Sequence, residues 1–294
     1  MSIVSVSNVN KRIEDFQLQD ISFELPKGYI MGIIGQNGAG KTTLLNLLLH
    51  LYFPTTGQIR IDDMTYGENE AQIKDEIGYV LNENVFSGEL TLLQNAELYG
   101  KYYSHYSSEL FIQYCESFSL MQDSKLKNCS KGEKLKFQFA FALSHRPKLL
   151  ILDEPTANFD PEFREQFLHQ ITQFVSDGER SVILATHLTK DLDQIADYIL
   201  FLQDGRQLCF QEKEDLLDNF RIVGGETYKI KLLPKEKIVY HEIGELGSKA
   251  FVRHSRWNRY DKELDVRRPT IEEIMYYIVK ATDFHHKMNV FEEK

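Results

Sequence analysis

The 294-residue sequence has no continuous apolar stretch of about 18 residues, the minimum that a membrane-spanning helix requires. Its first ten residues, 1–10, also lack a basic segment followed by an apolar run, so they do not predict a signal peptide. Short apolar runs such as 198–202 are typical of buried strands instead. If the protein serves a membrane, we expect it to do so through a partner.

Cysteine and positive charge are also scarce. The three cysteines, Cys115, Cys129 and Cys209, are an odd number at wide spacing, which predicts neither a disulfide framework nor a metal site. This cysteine usage favours a reduced, cytoplasmic setting. Because 34 basic residues face 44 acidic ones, for a net charge of −10, nucleic acid is not expected as the main partner. The net charge of the whole chain would not reveal a local basic patch.

Short apolar runs alternate with helical patterns along the first part of the chain, which predicts an α/β fold with parallel strands. The apolar runs at 149–152 and 182–185 are typical of strands buried on both faces, and 159–175 predicts a crossover helix between them. Residues 198–202 and 206–210 predict a terminal hairpin. The segment 84–146 is helical in pattern and rich in aromatic residues, so we interpret it as a helical insertion.

A domain boundary is predicted near the glycines at 224 and 225, which separates a domain at 1–222 from a small accessory region at 223–294. In the accessory region, 227–233 and 237–243 have the pattern of strands. Thr270 and Glu273, which follow Pro269, form a capping-box start for a final helix.

Residues 35–42, Gly-Gln-Asn-Gly-Ala-Gly-Lys-Thr, match the phosphate-binding loop pattern G-x-x-x-x-G-K-[ST]. A β-rich run at 30–34 precedes the loop and a leucine-rich helix pattern at 42–51 follows it, which favours this interpretation over a plain glycine turn. The glycines let successive N–H groups point at phosphate oxygens. Lys41 would reach the β- and γ-phosphates of ATP, and the Thr42 hydroxyl would bind Mg²⁺. The predicted nucleotide contacts are Gly35, Asn37, Gly38, Ala39, Gly40, Lys41, Thr42 and Thr43.

Two carboxylates follow the apolar run at 149–152. Asp153, at the end of that strand, is placed to hold Mg²⁺ through water, and Glu154 could polarise the attacking water as a general base. A lone Asp-Glu pair is more often a solvated loop, and the phosphate loop is what favours the catalytic interpretation. His187 follows the next buried strand and would lie beside the γ-phosphate. The predicted catalytic residues are therefore Lys41, Glu154 and His187.

From Phe16 to about Asp204 the chain resembles the ATPase subunit of an ABC transporter. Residues 129–133, Cys-Ser-Lys-Gly-Glu, resemble the signature Leu-Ser-Gly-Gly-Gln and precede a helix pattern at 134–144. Residues 156–160 resemble the D-loop, and 186–187 resemble the H-switch. Stretches at 16–32 and 193–198 look like bacterial antimicrobial-peptide and drug exporters, especially the phenol-soluble-modulin exporter subgroup.

This resemblance implies a P-loop NTPase core of the ABC ATPase type, with a mixed sheet, an antiparallel β subdomain, a helical insertion and a small C-terminal α+β appendage. It implies a head-to-tail dimer of ATPase subunits, identical or homologous, in which Ser130, Gly132 and Glu133 of one subunit face the ATP of the other. It also implies a Mg²⁺-dependent ATPase that powers export of a peptide or drug-like substrate. The export would run through a separate permease, with this chain at the cytoplasmic face of the membrane.

The expected permease contact is an aromatic set in the helical insertion, since that region receives the permease in related transporters. The bland alternative is that these rings pack the insertion's own core. The set consists of Phe86, Tyr99, Tyr102, Tyr103 and Tyr106.

Several positions depart from the family's pattern, and one of them is Glu133, which replaces the glutamine of the signature. Asn82 stands where the family has the Q-loop glutamine, so we expect a metal contact from a side chain one methylene shorter, with Glu83 as the alternative ligand. Lys131 replaces the first glycine of the signature. Ile13 stands where the family has an adenine-stacking tyrosine, which leaves Phe16 as the aromatic platform for the base.

Two other functions would use the same motifs. A soluble ABC ATPase acting on ribosomes or DNA typically carries two cassettes in one chain or inserts long coiled coils, whereas this sequence has one cassette and no sustained heptads. A non-hydrolysing ATP sensor would account for Asn82 and Lys131, but Glu154 and His187 argue against it.

Overall fold

Two β-sheets organise the chain in the computed structural model, which describes residues 1–83, 85–244, 247–254 and 262–281. The strands are β1 (Ser2–Ile13), β2 (Phe16–Pro26), β3 (Ile30–Ile34), β4 (Thr56–Ile61), β5 (Met64–Thr65), β6 (Ile77–Val80), β7 (Leu149–Asp153), β8 (Ser181–Ala185), β9 (Tyr198–Gln203), β10 (Arg206–Glu212), β11 (Phe220–Gly225), β12 (Ile238–Gly244), β13 (Gly247–Arg253) and β14 (Asp265–Arg267). The helices are α1 (Lys41–Leu48), α2 (Tyr66–Asp75), α3 (Leu92–Gly100), α4 (Ser108–Ser117), α5 (Lys131–Ser144), α6 (Pro161–Phe174), α7 (Thr189–Ile195), α8 (Lys213–Asp218), α9 (Thr227–Ile230) and α10 (Ile271–Lys280).

The larger sheet is mixed, with the strand order β5-β4-β1-β2-β10-β9-β3-β8-β7-β6. Strands β9, β3, β8, β7 and β6 run parallel, whereas β1, β2, β4 and β5 pair antiparallel at the other end. All residues of β3, β7 and β8 are buried, as their unbroken apolar runs predict. The predicted α/β fold with a mixed sheet and an antiparallel β subdomain is confirmed.

The connections between the central strands also follow the sequence pattern. Helix α6 crosses from β7 to β8 and begins at Pro161, where Phe163 N donates a 2.8 Å hydrogen bond to Oδ1 of the Asp160 cap. Strands β9 and β10 form the predicted antiparallel hairpin around Asp204 and Gly205. Because β3, β7 and β8 are parallel neighbours, the residues that follow them share one edge of the sheet.

The segment between β6 and β7 contains α3, α4 and α5 and, in its described residues, no strand of either sheet. Its predicted first residue, Asn84, lies outside the described residues. The aromatic set, however, is mostly internal. Phe86 is buried edge-to-face against Tyr99, at 5.1 Å, and against two rings of α5, and Tyr103 stacks on His145 at 3.9 Å.

Phe86 is therefore part of the insertion's own core, and the expectation that it forms a permease surface is wrong. Tyr103 is only partly buried, and its part in a permease contact stays a prediction. Tyr99 and Tyr103 are four residues apart, so they lie on the same side of the segment, and both pack against the core of the insertion. Tyr106 also packs against that core. Tyr102, on the opposite side, is exposed.

The smaller sheet has the order β12-β13-β11-β14 and is antiparallel throughout its described pairings. One face packs on α10, whose Ile274 and Tyr277 join the same buried cluster as Phe251 and Leu192 of α7. The predicted final helix is confirmed by its capping box, in which Glu273 N donates to the Thr270 hydroxyl at 3.2 Å. The predicted accessory region thus shares its core with the part of the chain that precedes it.

The predicted strand at 227–233 is wrong, because this segment begins with the one-turn helix α9. In a strand, Tyr228, Ile230 and Leu232 would share one face, but only Ile230 is buried, against Val223 and Val252, while the other two are exposed. The strand predicted at 237–243 is present as β12.

The division of the chain at residue 222 stays a prediction, since β11 runs across it. The last part of the predicted accessory region, 282–294, lies outside the described residues. Within the described part of the chain, the helices lack the combination of length and apolarity needed to cross a membrane.

Candidate active site

The loop between β3 and α1 has the backbone shape that its glycines permit. Gly38 and Gly40 adopt left-handed conformations, with φ of 83° and 105°, which non-glycine residues rarely adopt. Gly40 is the N-cap of α1 and carries no side-chain cap, so the N–H groups at the start of the helix are left for an anion. The predicted phosphate loop therefore has the geometry of an anion site.

Lys41 is the cation of this loop, and only 7% of it is exposed. Its Nζ donates a 2.9 Å hydrogen bond to the Gly35 carbonyl and lies 3.9 Å from Oε1 of Glu154. Burial lowers the pKa of Lys41, and the negative charges of Glu154 and Asp153 oppose that shift. The ammonium is thus held over the loop by groups that an incoming phosphate could replace.

Thr42 and Asp153 are brought together as predicted for a magnesium site. The Thr42 hydroxyl donates to Oδ2 of Asp153 at 2.9 Å, while Oδ1 of Asp153 is buried without a hydrogen-bond partner. Burial raises the pKa of Asp153, and the Thr42 bond opposes that shift. A free carboxylate oxygen beside a hydroxyl fits Mg²⁺, which takes one or two protein oxygens and fills its shell with phosphates and water. The described residues form no cluster of three or more His, Cys, Asp or Glu that would suit a protein-only metal cage.

Glu154 and His187 form a close pair at the same edge of the sheet. Nδ1 of His187 lies 2.7 Å from Oε2 of Glu154, and the His187 backbone N–H donates to that oxygen at 3.2 Å. Glu154 has a left-handed backbone with φ of 49°, and its N–H donates to the Ala185 carbonyl at 2.9 Å. The carboxylate of Glu154 therefore lies between a histidine and the Lys41 cation, the arrangement expected of an oriented general base.

Lys41, Thr42 and Glu154 line a cleft of about 520 Å³, a size typical of small-molecule sites. Phe16 and Ile13 line one end of it, which agrees with the predicted base platform, and the Phe16 ring packs close to Gly40. Asn46 and Tyr52 also line the cleft, and our sequence reasoning missed both. Asn46 could have been found from its helical spacing after Thr43, but Tyr52 follows the end of α1 and carried no local signal.

Seven predicted residues do not line this cleft in the described part of the chain. Gly35, Asp153 and His187 lie behind it, in contact with Lys41, Thr42 and Glu154. The other four are Asn82, Ser130, Gly132 and Glu133. Asn82 is exposed in the loop after β6. Ser130 and Glu133 form a capping box at the start of α5, in which Ser130 N donates to the Glu133 carboxylate at 2.7 Å and thereby lowers its pKa. Gly132 lies against the D-loop segment, since a Cβ there would be 2.8 Å from the Asn158 carbonyl oxygen.

Comparison with known proteins agrees with this geometry. Residues 18–157 match the family model described as ABC transporter. The bacitracin transport ATP-binding protein BcrA of Enterococcus faecalis is 29% identical over 206 residues, which cover 69% of this chain and 67% of that protein. The linearmycin resistance ATP-binding protein LnrL of Bacillus subtilis (strain 168) is 28% identical over 275 residues, which cover 92% and 86%.

Solved structures have the same fold. An ATP-binding subunit of an ABC transporter superposes with a TM-score of 0.68 at 24% identity, covering 73% of this chain and 92% of that one. A dimeric ATP-binding cassette in a post-hydrolysis state bound to ADP and Pi gives a TM-score of 0.65 at 23% identity, covering 71% and 98%. At these identities the likeness shows the fold alone.

Proposed function

We propose that the chain is the ATP-binding subunit of an ABC transporter and hydrolyses ATP to power export through a separate membrane permease. The observation that carries the proposal is that Lys41, Thr42 and Glu154 line one cleft. Asp153 bonds to Thr42 and His187 to Glu154 directly behind that lining. The bacitracin and linearmycin proteins named above favour a peptide or drug-like substrate.

In this mechanism each residue has a separate task. The start of α1 and Lys41 bind the phosphates of ATP, and Glu154 accepts a proton from the attacking water. His187 holds the Glu154 carboxylate in place through the 2.7 Å contact. Mg²⁺, held by Thr42 and Asp153, would neutralise part of the phosphate charge.

We propose that Ser130, Gly132 and Glu133 act on the ATP of a second ATPase subunit. Their position at the N-terminus of α5, away from the cleft of their own chain, supports this role. Ser130 keeps its hydroxyl at the helix start, where the N-terminal N–H groups favour an anion. The partner subunit is this chain or a homologue.

A steady-state assay of phosphate release tests the proposed function. The purified chain should release phosphate from ATP with Mg²⁺ and stop when Mg²⁺ is chelated, because Asp153 and Thr42 would then hold no ion to neutralise the phosphate charge. If two subunits of this chain close on ATP, doubling a dilute protein concentration should raise the rate roughly fourfold. ATP binding without turnover at any concentration would instead indicate an ATP sensor.

The permease contact is proposed at a groove of about 240 Å³ between the end of α1, β6 and the insertion. Leu51 and Val85 lie at its rim, 55% and 49% exposed, and the lining includes Tyr79, Leu81 and the half-buried Tyr103. The loop from Leu81 to Glu83 follows β6, which pairs with β7, the strand that ends at Asp153. This loop therefore connects the groove to the candidate active site. Exposed apolar side chains grouped around a groove are typical of protein interaction sites.

Val85→Asp should weaken binding to the permease at least about tenfold, because a charge would enter an apolar contact. Recovery of the chain with solubilised native membrane proteins measures this binding, and basal ATP turnover should stay unchanged. Leu232→Asp is the matched control, since Leu232 is an exposed apolar residue of the appendage. Equal recovery of both variants would place the permease contact elsewhere.

A further inference from the structure

Asp191 is a buried carboxylate that joins three segments of the chain. It lies in the first turn of α7, four residues after His187, and is 2% exposed. The Thr156 hydroxyl donates to its Oδ2 at 2.7 Å, and Nε of Arg164 donates to its Oδ1 at 2.7 Å. Nη2 of Arg164 lies 2.6 Å from the same Oδ1. Both oxygens are therefore occupied, by a hydroxyl from the segment after β7 and a guanidinium from α6.

The hydroxyl partner is close to the proposed general base along the chain. Thr156 follows Glu154 with only Pro155 between them, and the ring of a proline fixes its own φ. Thr156 is itself buried. A fixed position for Thr156 therefore leaves the Glu154 backbone little freedom.

The other end of the connection leads to His187. Leu188 N donates to the Thr186 hydroxyl at 2.9 Å, and Asp191 N donates to the Leu188 carbonyl at 3.1 Å. These bonds order the turn between β8 and α7 on which His187 lies. The segments that follow Glu154 and His187 thus meet at the Asp191 carboxylate.

Glu154 needs such support, because a left-handed backbone is unfavourable for a residue with a Cβ and persists only where surrounding contacts impose it. Its own N–H bond to Ala185 supplies one contact. The hydrogen bond between Thr156 and Asp191 supplies a second contact, on the C-terminal side of Glu154.

We infer that Asp191 is a positioning residue for ATP hydrolysis, which acts through Thr156 to hold Glu154 against His187. The inference rests on the proposed function, in which Glu154 activates water. Asp191 does not line the cleft and would touch neither ATP nor the attacking water. A change at Asp191 or Thr156 should therefore affect the chemical step more than nucleotide binding.

Thr156 offers a cleaner test than Asp191, because removing the Asp191 carboxylate would leave Arg164 without its buried partner and risk unfolding. Thr156→Val keeps the shape of the side chain and removes the hydroxyl. Thr156→Ser keeps the hydroxyl and removes a buried methyl group. A purely structural role predicts that loss of either group lowers the melting temperature without changing turnover per folded molecule.

In the full chain, Thr156→Val should lower kcat roughly 10- to 100-fold, the effect of a small misplacement of a catalytic group, while KM for ATP changes less than about threefold. Thr156→Ser should keep kcat within about threefold of the unaltered protein. Asp191→Asn, which keeps the volume and one acceptor, is the second variant and should resemble Thr156→Val. The melting temperature of each variant is measured beside its kinetics.

Unchanged kcat in Thr156→Val, or equal losses in the valine and serine variants, would overturn the inference. These outcomes are separable from failure of the proposed function. In the latter case the unaltered chain would not hydrolyse ATP, or Glu154→Gln would hydrolyse it normally.

Discussion

Glu154→Gln should lower ATP turnover by roughly 10²- to 10⁴-fold, the usual contribution of a general base. The amide keeps the size of the side chain and can still accept a hydrogen bond from His187, which contacts Glu154 at 2.7 Å. It cannot take a proton from water. ATP should still bind, because the phosphate loop and Lys41 are unaltered.

Since hydrolysis is what would discharge the ATP-bound state, this variant should also accumulate a dimer with ATP. Phosphate release gives the turnover, and size-exclusion chromatography with ATP gives the dimer fraction. Glu165→Gln on α6 is the control, because Glu165 is exposed and undergoes the same change of charge. Near-normal turnover in Glu154→Gln would remove Glu154 from the role of base.

Lys41→Ala should weaken ATP binding roughly 10- to 100-fold, because a hydrogen bond to a charged group contributes about 1.5–3 kcal/mol. Turnover should fall further, since charge on the transferred phosphate would lose its nearest cation. The alanine also loses the bond from Nζ to the Gly35 carbonyl, so the free loop itself is less ordered.

Calorimetry with Mg²⁺ present measures the affinity, and a melting curve shows whether the variant is folded. Lys101→Ala is a suitable control, since Lys101 is exposed at the end of α3, away from the cleft. Unchanged ATP affinity in a folded Lys41→Ala protein would exclude this loop as the phosphate site.

The interior of the helical insertion shows where sequence reasoning fails. An aromatic residue on a helix has the same local sequence pattern whether its ring packs in the core or is exposed at a protein interface. The rings of Phe86 and Tyr103 pack against aromatic rings of α5, which lie about 40 or more residues away along the chain. Tyr52 enters the cleft for a similar reason, because the end of α1 and the antiparallel strands meet only in the folded molecule.

The sequence by itself determined the features whose cause is local. The phosphate loop, the buried strands β3, β7 and β8, and the capping box at Thr270 each depend on a few consecutive residues, so their pattern could be read directly. Only the tertiary structure decided that 227–230 is helical, that Phe86 is internal, and that Asp191 joins Thr156 to Arg164. These features depend on contacts between segments distant in sequence, and the free energy of such contacts overrides local preference.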